Sequence, residues 1–153
     1  YLDLSSETVR IAEAAAIDFK RVGRISISAC GTAFYAGLVG RYWFERLARM
    51  PVDIDIASEF RYREIPLSPN DLAVFISQSG ETADTLASLR YTRAAGQQIA
   101  SVVNVPTSSI ARESDVSLPT LAGPEIGVAS TKAFTCQLAV LASLAVHAAR
   151  ERG

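Results

Sequence analysis

The chain has 153 residues, of which 49% are hydrophobic and 20% are charged. This balance is typical of one globular domain with a single core and excludes a charge-rich disordered chain. Fifteen basic residues stand against sixteen acidic ones, so no broad positive field would attract nucleic acid or an anionic membrane, and any bound anion must be held by local groups.

The first segment of the chain has the spacing of a helix. Ser5 or Ser6 is the expected N-cap, and Ile11, Ala15 and Phe19 recur at helical spacing before Gly23. We therefore predict a helix over residues 5–21.

After this helix, short apolar strands alternate with helices. Strands are predicted over residues 25–29, 52–56, 72–76, 99–103 and 116–121. Helices are predicted over residues 33–49, 82–95 and 130–150, with a helical turn at 108–113. This order predicts a doubly wound α/β fold, in which helices cover both faces of a parallel sheet of about five strands. With no linker or repeat in view, residues 1–153 are expected to form a single domain.

Three loops follow a predicted strand and precede a predicted helix. They are residues 30–33 (CGTA), 77–82 (SQSGET) and 127–131 (GVAST). In open α/β sheets ligands bind at such positions, where unpaired N–H groups and the helix dipole favour an anion.

The loop at 77–82 has the densest set of polar side chains, with Ser77, Gln78, Ser79 and Thr82 around Gly80. Such hydroxyls, with the N–H groups of a helix start, can hold a phosphate monoester without a cation. Alternatively, Ser79 or Thr82 only caps the next helix. Because one cap does not need so many hydroxyls, and neither GxxxxGK[ST] nor GxGxxG is present, we predict a site for a small phosphorylated metabolite rather than a nucleotide.

The other two loops allow two interpretations each. Thr32 either offers its hydroxyl to a ligand or caps the next helix, and Cys30 is either a small buried residue or a nucleophile, although no histidine lies near it in the sequence. In the third loop, Val128 and Ala129 present backbone groups, and Ser130 presents a hydroxyl or a cap.

Few residues could serve as an acid or a base. Glu81 and Glu125 are the loop carboxylates, and neither has an evident partner in the sequence. Lys132 opposes the dipole of the last helix, so either an anionic neighbour such as Glu125 or a substrate phosphate compensates it, or it is solvated. His147 lies deep in the last helix and is expected to pack rather than to catalyse.

Other site types are not indicated. Cys30 and Cys136 lack CxxC spacing, which predicts neither a metal site nor a disulfide framework and favours a reducing cytoplasm. Residues 133–149 are apolar but interrupted by Gln137 and His147, so we expect a buried helix and not a membrane span. The aromatic and basic run at 41–46 is interpreted as an ordinary helix face and not as an RNA contact.

Five segments together resemble the first sugar isomerase (SIS) domain of the glucosamine-6-phosphate synthase family, the isomerising glutamine:fructose-6-phosphate aminotransferases. SQSGET alone is typical of SIS domains, and its combination with the other motifs is more specific. The segments are residues 30–32 (CGT), 41–45 (RYWFE), 56–62 (IASEFRY), 77–85 (SQSGETADT) and 125–134 (EIGVASTKAF).

The resemblance implies a lobe that binds fructose 6-phosphate or glucosamine 6-phosphate and needs no metal or other cofactor. It implies that Ser77, Gln78, Ser79 and Thr82 hold the phosphate and that Thr32 lies near the sugar. Val128, Ala129 and Ser130 would line the sugar pocket. The family often has a serine where this chain has Ala33, which leaves only a backbone amide at that position.

The resemblance also implies partners. In the family, glutamine hydrolysis uses an N-terminal glutaminase domain, and the groups for isomerisation come from a second SIS domain and the C-terminal tail. We therefore expect no catalytic residue in this chain. A sugar-phosphate-sensing regulator with an upstream helix-turn-helix domain, or a related isomerase or deglycase, is the alternative. A homodimer is also expected, because the last helix is apolar nearly all round.

Overall fold

The computed structural model describes residues 1–3, 5–6, 8–124 and 130–153. The chain opens with a small antiparallel hairpin of strands β1 (Leu2–Asp3) and β2 (Thr8–Val9), followed by a 3₁₀ turn at Glu13–Ala16. The prediction of a helix over residues 5–21 is therefore wrong.

The carboxylate of Asp3 explains the difference. It accepts hydrogen bonds from the backbone N–H groups of Ser5 at 3.0 Å and Ser6 at 3.4 Å, and from both of their hydroxyls. Local side-chain bonds of this kind compete with a helix and turn the chain instead. Ile11 and Phe19 are nevertheless buried, so their apolar spacing reflects packing against the core.

The main sheet contains five parallel strands, as the sequence predicted. They are β3 (Ile25–Ala29), β4 (Val52–Ile56), β5 (Leu72–Ser77), β6 (Gln98–Val103) and β7 (Val116–Pro119). Their order across the sheet is β4-β3-β5-β6-β7. The predicted doubly wound α/β fold is confirmed.

A helix follows each of these strands, and most of the helices lie close to the predicted positions. They are α1 (Thr32–Trp43), α2 (Ala57–Phe60), α3 (Ala83–Ala94), α4 (Ser109–Arg112) and α5 (Lys132–Arg152). A π-helical segment at Phe44–Ala48 extends α1 to the predicted length. The short helix α2 was not predicted.

The central strand β5 is buried on both faces. Leu72, Val74 and Ile76 belong to the larger apolar cluster, which also includes residues of α1 and α5, whereas Ala73 and Phe75 join the cluster that packs against α3 and α4. This is the packing expected of a parallel sheet with helices on both sides. It makes the sheet a fixed platform for the loops at its carboxyl edge.

Helix α5 is long and apolar enough to pass a length-and-composition test for a membrane span. It packs against α1, where a Cβ added to Gly40 would lie 3.2 Å from Leu141 Cδ1, and seven of its residues are buried. His147 lies on the same helix with its ring edge-to-face with Phe19, at a centroid distance of 5.9 Å. The prediction of a packing role for His147 is confirmed.

The strand order has a consequence for ligand binding. From β3 the chain crosses to β4 on one side and then returns to β5 on the other side of β3. The carboxyl ends of β3 and β5 therefore flank the switch point of the sheet, where open α/β folds form a crevice for a ligand.

Candidate functional site

A cavity of about 360 Å³ opens at this switch point. Its volume lies within the usual range for small-molecule pockets. The lining residues come from the loop after β3, the end of β5 with its loop, and the start of α5. They are Cys30, Gly31, Thr32, Ala33, Ile76, Ser77, Gln78, Ser79, Thr82, Ser130 and Gln137.

The loop after β5 is shaped by a hydroxyl pair. Ser77 Oγ accepts a hydrogen bond from the Gly80 N–H at 3.0 Å and lies 3.0 Å from Thr82 Oγ1. One of the two hydroxyls donates its proton to the other, so the second hydroxyl still has a proton that it can donate to another group. Thr82 is the N-cap residue of α3 but makes no side-chain bond to the helix, so the interpretation of Thr82 as a mere cap is wrong.

The outer half of the loop is fastened to α4. Ser79 Oγ accepts the Glu81 N–H at 3.2 Å, Glu81 Oε1 accepts the Ser109 N–H at 2.7 Å, and the Ile110 N–H donates to the Gly80 carbonyl at 3.0 Å. The bond from Ser109 lowers the pKa of Glu81 below its usual value. Glu81 thus has a partner that the sequence did not reveal, and its carboxylate holds the loop in place.

Gly80 is the tightest point of the loop. Its φ is +68°, and a Cβ at this position would lie 1.9 Å from Ser108 Oγ. Ser108 in turn caps α4 by accepting the Ala111 N–H at 3.4 Å. Only glycine fits both the backbone conformation and the available space.

Three helices begin at the cavity: α1 after Gly31, α3 after Thr82 and α5 after Thr131. None of the three N-cap residues makes a side-chain hydrogen bond to its helix, and at α1 and α3 this leaves the first N–H groups uncapped. The described lining residues include no lysine, arginine, histidine or carboxylate. The site can therefore hold an anion through hydroxyls, amides and helix dipoles.

The structure brings most of the predicted site residues together. Seven of the nine line the one cavity: Thr32, Ala33, Ser77, Gln78, Ser79, Thr82 and Ser130. The other two, Val128 and Ala129, lie outside the described residues, as does Glu125. Lys132 is exposed, and its Nζ donates to the Pro124 carbonyl at 2.8 Å.

The sequence missed one polar lining residue, Gln137. It lies on α5, seven positions after Ser130, and only 1% of its surface is exposed. Its signal in the sequence is a carboxamide on the otherwise apolar buried face of a helix. Cys30 also lines the cavity as a half-buried free thiol, and the lining residues of the described chain give it no base.

Fold and cavity together define a doubly wound α/β domain with a polar ligand pocket at the switch point of its sheet, and a family comparison gives the family of this domain. Residues 18–147 match the model of the SIS domain, so the chain belongs to the SIS family.

Among curated proteins, the chain is similar to isomerising glutamine–fructose-6-phosphate aminotransferases. It is 76% identical to the Mesorhizobium japonicum protein over 136 residues, which are 89% of this chain and 22% of the relative. It is 69% identical to the Brucella abortus protein over its whole length, which is 25% of that relative. The chain thus spans about a quarter of the length of these relatives.

A solved structure supports the same assignment. The C-terminal domain of glucosamine-fructose-6-phosphate aminotransferase from Francisella tularensis superposes with a TM-score of 0.85 and 46% identity, covering 93% of this chain and 40% of that one. The resemblance to the glucosamine-6-phosphate synthase family is confirmed.

Proposed function

We propose that the chain is the first SIS lobe of the isomerase region of an isomerising glutamine:fructose-6-phosphate aminotransferase, and that it binds fructose 6-phosphate and glucosamine 6-phosphate. The observation that carries this proposal is the cavity at the switch point, which joins the polar loop at 77–82 to the N-termini of α1 and α3, both without side-chain caps. The relatives named above act on sugars of this kind.

In this proposal the phosphate lies against the loop at 77–82. The N–H groups of Ser79 and Thr82 have no acceptor in the described part of the chain, and the Ser77–Thr82 pair has one hydroxyl proton left over. Gln78 adds a carboxamide on the same wall. The sugar carbons extend toward Thr32, Ala33 and Ser130, with Val128 and Ala129 as further lining residues.

The lobe alone is proposed to bind and not to catalyse. Isomerisation moves a proton between adjacent sugar carbons and needs a base with a pKa near the working pH. The described residues that line the cavity include no histidine, lysine or carboxylate. The base would therefore come from the second SIS domain, and ammonia from the glutaminase domain, as partners within the full-length protein.

Calorimetric titration tests the proposal. Fructose 6-phosphate and glucosamine 6-phosphate should bind to the protein, and glucose should not, because it lacks the phosphate that the loop recognises. The full-length protein should convert fructose 6-phosphate and glutamine to glucosamine 6-phosphate and glutamate, with no conversion by this chain alone. Equal binding of glucose, or binding of none of the three, would contradict the proposal.

We also propose self-association and a cytoplasmic location. Tyr35 and Tyr42 lie one heptad apart on α1 and are 61% and 70% exposed, which supports a contact with another lobe or a second copy. Helix α5 offers less apolar surface for such a contact than the sequence suggested, because α1 packs against α5 and seven α5 residues are buried. Sedimentation as a monomer at high concentration would contradict the dimer.

The cytoplasmic location is supported by the cysteines. Cys30 and Cys136 are both free thiols, as is usual in a reducing compartment.

A further inference from the structure

One of the most deeply buried residues of the cavity lining has a side-chain oxygen without a hydrogen-bond partner among the described residues. Ile76, Gln137 and Ser77 are the most buried of the lining residues, at 0%, 1% and 3% exposure. Ser77 Oγ is engaged by Gly80 and Thr82. The side-chain oxygen of Gln137 is buried and has no hydrogen-bond partner in the described part of the chain.

A buried carbonyl without a partner is costly, so its presence calls for an explanation. The other buried residues of α5 are alanine, valine and leucine, and a leucine-sized apolar side chain would suit this face. Its neighbours on the cavity wall include Cys30 and Ile76, which are poor partners for a carboxamide. Because Gln137 lines the cavity, a polar group of a bound ligand can supply the missing hydrogen bond.

We propose that Gln137 is a specificity-determining residue whose side-chain carboxamide forms a hydrogen bond with a hydroxyl on the carbon chain of the bound sugar phosphate. This inference rests on the proposed function. The loop at 77–82 supplies groups for the phosphate, and Gln137 recognises the polyhydroxylated part of the ligand. Gln137 thereby separates a sugar phosphate from phosphate alone.

The test is a titration of the wild-type protein and the variant Gln137→Met with fructose 6-phosphate and with inorganic phosphate. Methionine keeps the length of the side chain and removes the carboxamide. The variant should bind fructose 6-phosphate roughly tenfold more weakly, because one buried hydrogen bond is lost. Its affinity for inorganic phosphate should not change, and its melting temperature should stay the same or rise.

Gln97→Met is the matched control. Gln97 is also buried with an unpartnered side-chain oxygen, but it lies outside this cavity and donates to the Ser68 carbonyl. The control should bind both ligands as the wild type does. Equal binding of fructose 6-phosphate by Gln137→Met and the wild type would overturn the inference and leave the proposed function intact. If the wild type binds neither ligand, the proposed function fails and the inference fails with it.

A crystal structure of the wild-type protein with fructose 6-phosphate gives a readout that does not depend on the folding of a variant. The Gln137 carboxamide should lie within hydrogen-bond distance, about 3 Å, of a sugar oxygen. A carboxamide that bonds only water, or only the protein, in the presence of the ordered sugar would overturn the inference.

Discussion

In the proposed phosphate site, single hydroxyls and amides take the role that charged side chains have in many phosphate sites. Each hydroxyl donates once, and in the loop at 77–82 those of Ser77 and Ser79 already accept backbone N–H groups of the same loop. Ser79 can still donate its proton to a phosphate oxygen, and so can whichever of Ser77 and Thr82 does not donate within their pair. These bonds hold the loop in one conformation without a ligand, so the proposed binding would cost little ordering entropy.

Replacing Ser79 with alanine tests the role of one hydroxyl. Ser79→Ala should weaken binding of fructose 6-phosphate by about 1–3 kcal/mol, because a hydrogen bond to a charged group is lost, and should change the free energy of unfolding little. Calorimetry and urea unfolding measure the two quantities. Ser58→Ala, on α2 and away from the cavity, is the matched control. A large loss of stability with unchanged affinity would indicate a structural role only.

Glu81 makes the attachment of the loop to α4 dependent on pH. Its pKa in the folded protein lies below the usual 4.5, chiefly because the carboxylate accepts the Ser109 N–H. The stabilisation is therefore present above the unfolded pKa and is lost as the pH falls through the folded pKa. Glu81→Gln should be less stable than the wild type at neutral pH, and the difference should vanish in acid.

Urea unfolding of both proteins at neutral pH and well below pH 4.5 checks this expectation. An equal difference at both pH values would show that the carboxylate charge does not contribute.

Some site residues could be predicted from sequence and others could not. Three hydroxyl residues fall within six positions after an apolar strand, namely Ser77, Ser79 and Thr82, so this cluster is visible in the sequence without a structure. Gln137 is far from them in sequence, and only the packing of α5 brings it to the cavity. The partner of Glu81 was missed for the same reason, because Ser109 lies 28 residues away.

At the scale of elements, strong apolar periodicity predicted the sheet well and failed at the start of the chain. Strands β3 and β4 have the predicted bounds, because runs bounded by turn residues can hardly adopt another structure. Residues 5–21 have apolar residues at helical spacing, but the proposed N-cap residues Ser5 and Ser6 donate hydrogen bonds to the Asp3 carboxylate instead of capping a helix. Spacing alone does not separate a helix from a turn and an extended segment that bury the same side chains.

Helix α1 packs on the sheet at Gly37 and on α5 at Gly40, and the space for an added Cβ is smaller at Gly37 than at Gly40. A Cβ at Gly37 would lie 2.7 Å from Ile54 Cδ1 and 3.0 Å from Ile27 Cγ2, whereas one at Gly40 would meet Leu141 at 3.2 Å or more. Gly37→Ala should lower the free energy of unfolding by about 1–2 kcal/mol, because overpacking outweighs the gain in helix propensity.

Gly40→Ala is the matched control for this comparison. It should be nearly neutral, because the closest atom is the end of a leucine side chain that can shift slightly. Urea unfolding of both variants gives the comparison. Equal stability of the two variants would contradict the packing described for α1.

At the scale of the whole molecule, the strand order places the site. The loops after β3 and β5 adjoin because the chain reverses its direction of winding between these strands, and α5 closes the cavity from the side. The strand order thus brings residues that lie between positions 30 and 137 of the sequence to the wall of one cavity. Among the described residues it brings no histidine, lysine or carboxylate to the cavity lining, and the chain spans about a quarter of the length of its relatives.

The most direct test of the proposed function is the crystal structure of this protein soaked with fructose 6-phosphate. The phosphate should lie against the loop at 77–82, with its oxygens within about 3 Å of the Ser79 and Thr82 hydroxyls or N–H groups. The sugar should extend toward Thr32 and Ser130. An empty cavity at saturating ligand, or a phosphate bound elsewhere on the molecule, would contradict the proposal.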